Sequence, residues 1–384
     1  LAAGSLTDRI GARTAFGLGL LGFCGASVAC GLSNSLHGLV SARLVQGAAA
    51  AMMMPSSMAL VGQAYPDPVL RGRAVAWWAM GGSVAATSGP VLGGALLTVM
   101  SWRWIFWLNL PVGLIALWLL RAAPASAKRA HPFDLIGQLL AVVSMGALTY
   151  GTIESGPRGP ADPLVLSMLG LAVVAGAAFV LVQRRVAHPM VPAAVFGQRQ
   201  ARIAMAAGFA FMACYFGLPF VMSLYLQLHR GLSALDTGAH FLPMMLIGLV
   251  LTPFSARLVE RWGARALVVS GLACMVIGLS ALAAWAPTAS SQAISAWMLL
   301  VGLGGPLVSP PITAVLLHSV PSNLAGIASG VYNTSRQVGG ALAVGVFGAL
   351  LNRSSDFETG LRISLLTAAG VALLTGLASL RLRA

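Results

Sequence analysis

LTDRIGAR (Leu6–Arg13) and LVERWGAR (Leu258–Arg265) are one stretch written twice. Asp8 matches Glu260, Arg9 matches Arg261, Gly11 matches Gly263 and Arg13 matches Arg265, all at a constant offset of 252 (Leu6 to Leu258). Each copy is a charged turn between two long apolar runs, and its glycine lets the chain reverse. The offset persists downstream. The run starting near Gly72 answers one starting near Leu324, and four segments follow each turn in the same order. A repeat on this scale marks a duplicated helical unit.

The surrounding composition says where such units live. The chain has 384 residues, of which 58% are hydrophobic and 8% charged, and its mean hydropathy is +0.86. A water-soluble surface of this size does not tolerate such values. Apolar runs recur at 14–33, 37–64, 72–99, 104–121, 134–153, 163–183, 203–226, 237–258, 265–286, 292–317, 325–351 and 362–382, each near the ~20 residues an α-helix needs to cross a bilayer. Backbone groups in lipid must bond within their own segment, and the alternation of a β-barrel is absent, so the expected fold is an all-α membrane bundle of twelve helices.

In the second half, runs 203–226 and 237–258 precede the charged turn, and no counterpart stands before Leu6. The first half is therefore expected to begin with a hairpin of about 50 residues upstream of Leu1. On that reading the sequence lacks its N-terminal part, and the intact protein has about fourteen crossings. Residues 134–183 form a further pair between the halves, flanked by the polar linkers 122–133 and 184–202. The expected organisation is a four-helix N-terminal bundle over 1–121, an inserted pair with its linkers over 122–202, and a six-helix C-terminal bundle over 203–384.

A net charge of +14 invites a nucleic-acid reading, but sorting the charges by membrane side removes the need for one. With the Leu6–Arg13 turn in the cytoplasm, the Lys and Arg residues fall mostly inside, against Arg103, Arg158, Arg230, Arg353 and Arg362 outside. That is the positive-inside bias of a multi-pass membrane protein. Cys24, Cys30, Cys214 and Cys274 all lie in apolar runs without C-x-x-C spacing and read as small core residues. Neither H-E-x-x-H nor G-x-S-x-G occurs, and the six histidines are not spaced to chelate, so an intramembrane enzyme, a metal site and a cofactor are not expected.

Five stretches resemble the fourteen-helix drug:proton antiporters of the major facilitator superfamily, the EmrB/QacA type. GSLTDRIGAR (Gly4 to Arg13) is similar to the superfamily's loop motif, with Ala12 where a basic residue is common. LVSARLVQGAAAAMMMP is similar to its fourth-helix motif through Arg43, Gln46 and Gly47, and SGPVLGG to its antiporter motif through Gly89, Pro90, Gly93 and Gly94. WRWIFWLNLPVG (Trp102 to Gly113) and GVYNTSRQVGGALA (Gly330 to Ala343) resemble stretches of the fourteen-helix branch. The resemblance implies two pseudo-symmetric bundles working by alternating access at the cytoplasmic membrane. It also implies export of small hydrophobic or cationic drugs in exchange for protons, with no obligatory oligomer. A same-fold carrier of a native metabolite, an importer and an inactive fragment are the alternatives.

Individual residues carry expectations of their own. Asp8 and Glu260 sit in tight turns where a carboxylate can meet a neighbouring helix dipole and hold one of two states; a plain cytoplasmic loop is the alternative. A guanidinium at mid-bilayer costs about 2.5–3.5 kcal/mol and needs a partner or a cavity. Arg336 lies roughly 16 Å deep at about 1.5 Å per residue, while Arg43 is near enough to an end to snorkel. Gln46, Asn333 and Gln337 lie within a turn of these arginines. Gly89 and Gly93 form G-x-x-x-G, and Pro90 bends its helix, as a hinge or as generic packing. Met52, Met53, Met54, Met205, Phe209, Met212, Tyr215, Phe216 and Tyr332 either line an adaptable cavity or face core and lipid. Trp102, Trp104 and Trp107 read as belt anchors. All nine acids fall in loops or at helix ends, leaving Glu154 and Asp236 as the proton carriers within this chain, unless that acid lies upstream.

Overall fold

The computed structural model describes residues 6–7, 9–123, 134–186, 189–321 and 324–382. Gly4 and Asp8 of the first charged turn lie outside the described residues, as do Lys128, Arg129 and Arg383. The helices in chain order are α1 (Ala12–Leu32), α2 (Leu36–Ala64), α3 (Pro68–Val99), α4 (Trp104–Leu120, with a break at Leu108), α5 (Leu135–Arg158), α6 (Pro163–Arg185) and α7 (Arg199–Leu224). They continue with α8 (Ala234–Leu251), α9 (Ser255–Trp285), α10 (Ser291–Ser319), α11 (Ala325–Arg353) and α12 (Phe357–Ser379). Nine helical stretches among the described residues are long and apolar enough to cross a membrane, and Trp104–Leu120 is a shorter apolar helix. α11, which carries Asn333, Arg336 and Gln337, is not among them.

Short polar side chains start these helices. The carboxylates of Asp67, Asp134, Asp162 and Asp356 accept from the first free backbone N–H groups of α3, α5, α6 and α12, and Ser35, Ser233 and Ser290 do so for α2, α8 and α10. Each cap satisfies donors that have no intrahelical partner. The Asp356 cap starts α12 at Phe357, before the apolar run at 362 that the hydropathy marks. Similarly, α5 continues past 153 to Arg158, and the run 237–258 is broken by a short 3-10 turn at Thr252–Phe254, beyond which α9 begins.

The chain divides between Phe133 and Asp134 into two compact units. In the first, α1 packs along α2 and against α4, while α3 is exposed over most of its length, Trp77 being 70% accessible. The second unit has the denser interior. Its core joins Leu218 and Met222 of α7, Met244 of α8, Leu272, Met275 and Leu279 of α9, Ile312 of α10 and Leu365 of α12. The pair α5–α6 belongs to this unit, with Gly156 of α5 seated on Ala349 of α11 and Gly345 of α11 seated on Thr152 and Ile153.

Because lipid is as apolar as leucine, helices in a bilayer associate through fitted contact. That fit is made here by glycine. A Cβ at Gly339 of α11 would collide with the carbonyl oxygen of Phe209 on α7, and one at Gly302 of α10 with the carbonyl oxygen of Met244 on α8. At the far end of α7 a π-helical turn, Tyr225–His229, brings three rings into a stack. His229 lies 5.6 Å from Tyr225 and 5.9 Å from Phe357, and its Nε2 is 3.0 Å from the Glu358 carboxylate. Tyr225 Oη donates to the Ala286 carbonyl at 3.0 Å, tying α7 to the end of α9.

The contact at Gly339 leads to an expected outcome. Gly339→Ala forces backbone apart from backbone and should cost about 1–3 kcal/mol, the usual range for overpacking. Gly81→Ala, in a helix interior where an added Cβ meets nothing within 4 Å, should not lower stability and should raise it by about 0.5–1 kcal/mol. Thermal unfolding of the two detergent-solubilised variants beside the parent checks the contrast, and an unchanged midpoint for Gly339→Ala would refute the close α7–α11 contact.

Candidate functional site

The two charged turns share a backbone conformation that only glycine adopts freely. Gly11 has φ 92 and ψ 139, and Gly263 has φ 78 and ψ 153. Both lie in the positive-φ region where an added Cβ clashes with its own backbone. Adding the offset of 252 to the starts of α1 to α4 (12, 36, 68 and 104) gives 264, 288, 320 and 356. The helical backbone resumes after Gly263, and α10, α11 and α12 start at Ser291, Ala325 and Phe357. Of the second turn, Glu260, Arg261 and Arg265 are exposed, and Arg261 lies over the Trp262 ring at 5.9 Å. Of the first, Arg9 is exposed and Arg13 donates to the Arg121 carbonyl at 3.1 Å.

In the first unit the structure joins Arg43 and Gln46 in a polar chain. Arg43 Nη1 donates to Gln46 Oε1 at 2.6 Å, and Gln46 Nε2 donates to Ser27 Oγ at 2.6 Å. Asn109 Nδ2 donates to the same Ser27 oxygen at 3.3 Å. Gln46 is 2% exposed and Ser27 fully buried, and the Arg43 guanidinium stands 5.8 Å from the Phe106 centroid. Three helices, α1, α2 and α4, thus meet at one hydroxyl. Ser27 escaped the sequence reading because a single serine in an apolar run carries no pattern. Phe106 and Asn109 lie inside WRWIFWLNLPVG, a stretch in which only the tryptophans carry individual expectations. Gly47, Gly89 and Gly93 meet no atom within 4 Å of an added Cβ, and α3 runs as one helix through Pro90 to Val99, with Gly94 buried.

Arg336 occupies a built position in the second unit. Its stem crosses Gly208 of α7, where an added Cβ would fall 3.1 Å from Arg336 Cγ, and Ser335 Oγ donates to the Met205 carbonyl at 3.1 Å. The guanidinium carbon lies 5.9 Å from the Phe211 centroid and 5.6 Å from that of Tyr332, within cation–π range. Its Nε is buried and has no hydrogen-bond partner among the described residues. Asn333 and Gln337, on the same helix, are exposed. Met205, Met212 and Tyr332 are buried in the core, whereas Phe216 is 50% accessible.

Nearly every described acid is engaged in local structure. Asp67, Asp134, Asp162 and Asp356 cap helices. Glu154 pairs with Arg158 at 2.7 Å, Glu358 with His229, and Asp236 accepts from Ser233 Oγ at 2.6 Å while its own N–H donates to that oxygen. The Thr359 backbone N–H and hydroxyl hold the Asp356 carboxyl below its ordinary value. Among the described acids Glu260 alone makes no such contact, and it sits exposed in the turn that Gly263 closes.

Residues 1–344 match the family model of the Major Facilitator Superfamily. The chain belongs to that superfamily. It is 34% identical over 353 residues to the multidrug resistance protein Stp of Mycobacterium tuberculosis, an alignment spanning 91% of this chain and 66% of Stp. It is likewise 34% identical over 360 residues to the tetracenomycin C resistance and export protein of Streptomyces glaucescens, spanning 91% of this chain and 66% of that one. The chain thus spans a little under two thirds of the length of these curated relatives. In fold it is similar to a POT family transporter solved with a thioalcohol conjugated peptide, at a TM-score of 0.69 and 15% identity over 97% of this chain and 82% of that one. A major facilitator protein with these apolar helices is a multi-pass integral membrane protein, and its relatives carry multidrug and antibiotic resistance names.

The polar chain in the first unit can be tested by a double-mutant cycle. Gln46→Leu removes a buried group that two partners use, and should cost about 1–3 kcal/mol of unfolding free energy. In an Arg43→Leu background that cost should shrink, because one orphaned partner is already gone, giving a coupling of about 0.5–3 kcal/mol. Strictly additive costs would show that Arg43 and Gln46 do not act together.

Proposed function

We propose that this chain is the transport-bearing part of a proton-coupled multidrug exporter of the cytoplasmic membrane, of the fourteen-helix EmrB/QacA type, working by alternating access. The observation that carries the reading is the duplicated turn, with Gly11 and Gly263 in one backbone conformation at one offset. A carrier that rocks between two states needs the same hinge chemistry at the corresponding place in each half. In this reading α1 to α4 form the first bundle (1–121), α7 to α12 the second (203–384), and α5–α6 with their linkers (122–202) are the inserted pair, giving twelve crossings. The turns lie on the cytoplasmic side, where the excess of arginines belongs. Asp8, Arg9, Arg13, Glu260, Arg261 and Arg265 act in gating, with Gly4, Gly11 and Gly263 supplying the bends. Gly89, Pro90, Gly93 and Gly94 form the hinge of α3. Arg43, Gln46, Gly47, Asn333, Arg336 and Gln337 serve coupling or substrate handling.

Export as the direction, and a drug as the cargo, rest on the names of the relatives. Proton coupling needs an acid that titrates as access alternates, and Glu154 and Asp236 are the proposed carriers. Everted membrane vesicles containing the full chain provide the test, with uptake of radiolabelled tetracenomycin C driven by an imposed pH gradient. Uptake should collapse on addition of nigericin, and Glu154→Gln or Asp236→Asn should reduce gradient-driven uptake at least tenfold. Uptake indifferent to nigericin would overturn the coupling, and full activity in both variants would remove these acids as carriers. Gly89→Ala tests the hinge separately. It has open space around it, so it should not lower thermal stability while slowing transport.

A further inference from the structure

The charges around Arg336 specify the kind of ligand the second unit receives. Arg336 stands in the middle of α11, and the described acids of this unit, Asp134, Glu154, Asp162, Asp236, Glu260, Asp356 and Glu358, all sit at helix ends or in the charged turn. None forms an ion pair with Arg336; the described ion pairs are Arg158–Glu154 and His229–Glu358. The guanidinium is thus a cation whose nearest described company is aromatic, Phe211 and Tyr332, and whose Nε–H is shielded from water without an acceptor. Ring faces offset part of the charge but accept no N–H in the guanidinium plane.

The position is also held in place. Gly208 lets the Tyr332 ring and the Arg336 stem lie flat on α7, and the Ser335–Met205 hydrogen bond fixes the roll of α11. Along α7 the aromatic face continues from Phe211 to Tyr215 at 5.2 Å and on to Phe216 at 5.7 Å. Around Tyr215, Gly248 of α8 and Gly305 of α10 present no side chain of their own, and Tyr215 Oη reaches only the sulfur of Met245, at 3.6 Å. A fixed planar donor beside a row of rings is complementary to a flat apolar body bearing an acceptor anion. It repels a cation, since like charges in a medium of low dielectric are costly.

We propose that Arg336 receives a carboxylate or comparable oxyanion of an aromatic ligand, making this site selective for acidic over cationic compounds. The proposal rests on the transporter reading and narrows its substrate class, away from the lipophilic cations that the family resemblance allows. A carboxylate accepts from the in-plane N–H groups of arginine in a bidentate fork that lysine does not reproduce.

The test uses three matched probes, 2-naphthoate, 2-naphthamide and 2-naphthylmethylammonium, binding to the full chain in phosphatidylcholine nanodiscs by equilibrium dialysis. Naphthoate should bind at least tenfold more tightly than the ammonium. Arg336→Gln should abolish that preference while leaving naphthamide affinity unchanged, which also shows that the variant is folded. Arg336→Lys should retain only part of the preference. Arg362→Gln, an exposed arginine at the start of α12, should retain all of it. Equal affinities for the two charged probes, or a preference that survives Arg336→Gln, overturns the proposal. Nanodiscs with one part in ten of phosphatidylglycerol separate the two sources of an anion: unchanged naphthoate affinity supports a soluble ligand, and its loss assigns the arginine to a lipid headgroup and overturns the ligand assignment. The transporter reading fails separately. Naphthoate selectivity in a chain that moves nothing across vesicles keeps this site and removes that reading, whereas gradient-driven uptake of tetracenomycin C without any preference among the probes does the reverse.

Discussion

Inside a bilayer no water stands ready to satisfy a polar group, and that constraint governs where every charge and every backbone break in this chain falls. It sends the acids to the helix ends, where Asp67, Asp134, Asp162 and Asp356 find backbone N–H groups. It makes Gln46 give both ends of its amide to partners, one to Arg43 and one to Ser27. It also removes the solvent-driven force that packs soluble cores, so helix contact depends on shape. Gly208, Gly302 and Gly339 supply that shape by letting one helix rest on the backbone or rings of another.

The two units answer the constraint differently. In the second, α7 touches α10, α11 and α12, and its long side chains Met222, Tyr225 and Leu226 are fully enclosed. In the first, α1 and α2 hold together through the Ser27–Gln46 bond and the approach of Gly19 to Met53, whereas α3 has few neighbours. Gly89 and Gly93 of α3, which resemble a hinge, therefore stand in open space, while Gly208 and Gly217 of α7 and Gly339 of α11 are crowded. The same residue type has opposite surroundings in the two places: open space in one and close contact in the other.

Much of this was legible in the sequence, for physical reasons that can be named. Apolar run length locates helices in a bilayer because the span is set by hydrocarbon thickness, and the helices fall close to the expected runs. The repeated turn was legible because a positive φ restricts the residue, leaving Gly11 and Gly263 as visible marks of one conformation. The Arg43–Gln46 pair was legible because residues three apart on a helix face each other. Ends were harder. Caps such as Asp356 extend a helix beyond its apolar part, and the break at Thr252–Phe254 falls inside a single apolar run. Contacts between distant segments, such as Ser27 with Asn109 or Gly208 with Tyr332, have no local signature, because sequence periodicity describes one helix at a time.

The glycine contact between α7 and α11 also bears on how such a molecule changes under selection. Position 339 faces a carbonyl oxygen and position 208 faces a ring and an arginine stem, so neither accepts even one added methyl without displacing its neighbour. Phe216, about two turns along α7 from Gly208, is half open, and the rings of Phe211, Tyr215 and Phe216 lie in series from that fixed point. Substitution is thereby constrained unevenly along one helix: the crowded positions admit no larger side chain, whereas the half-open ring at 216 leaves room for exchange.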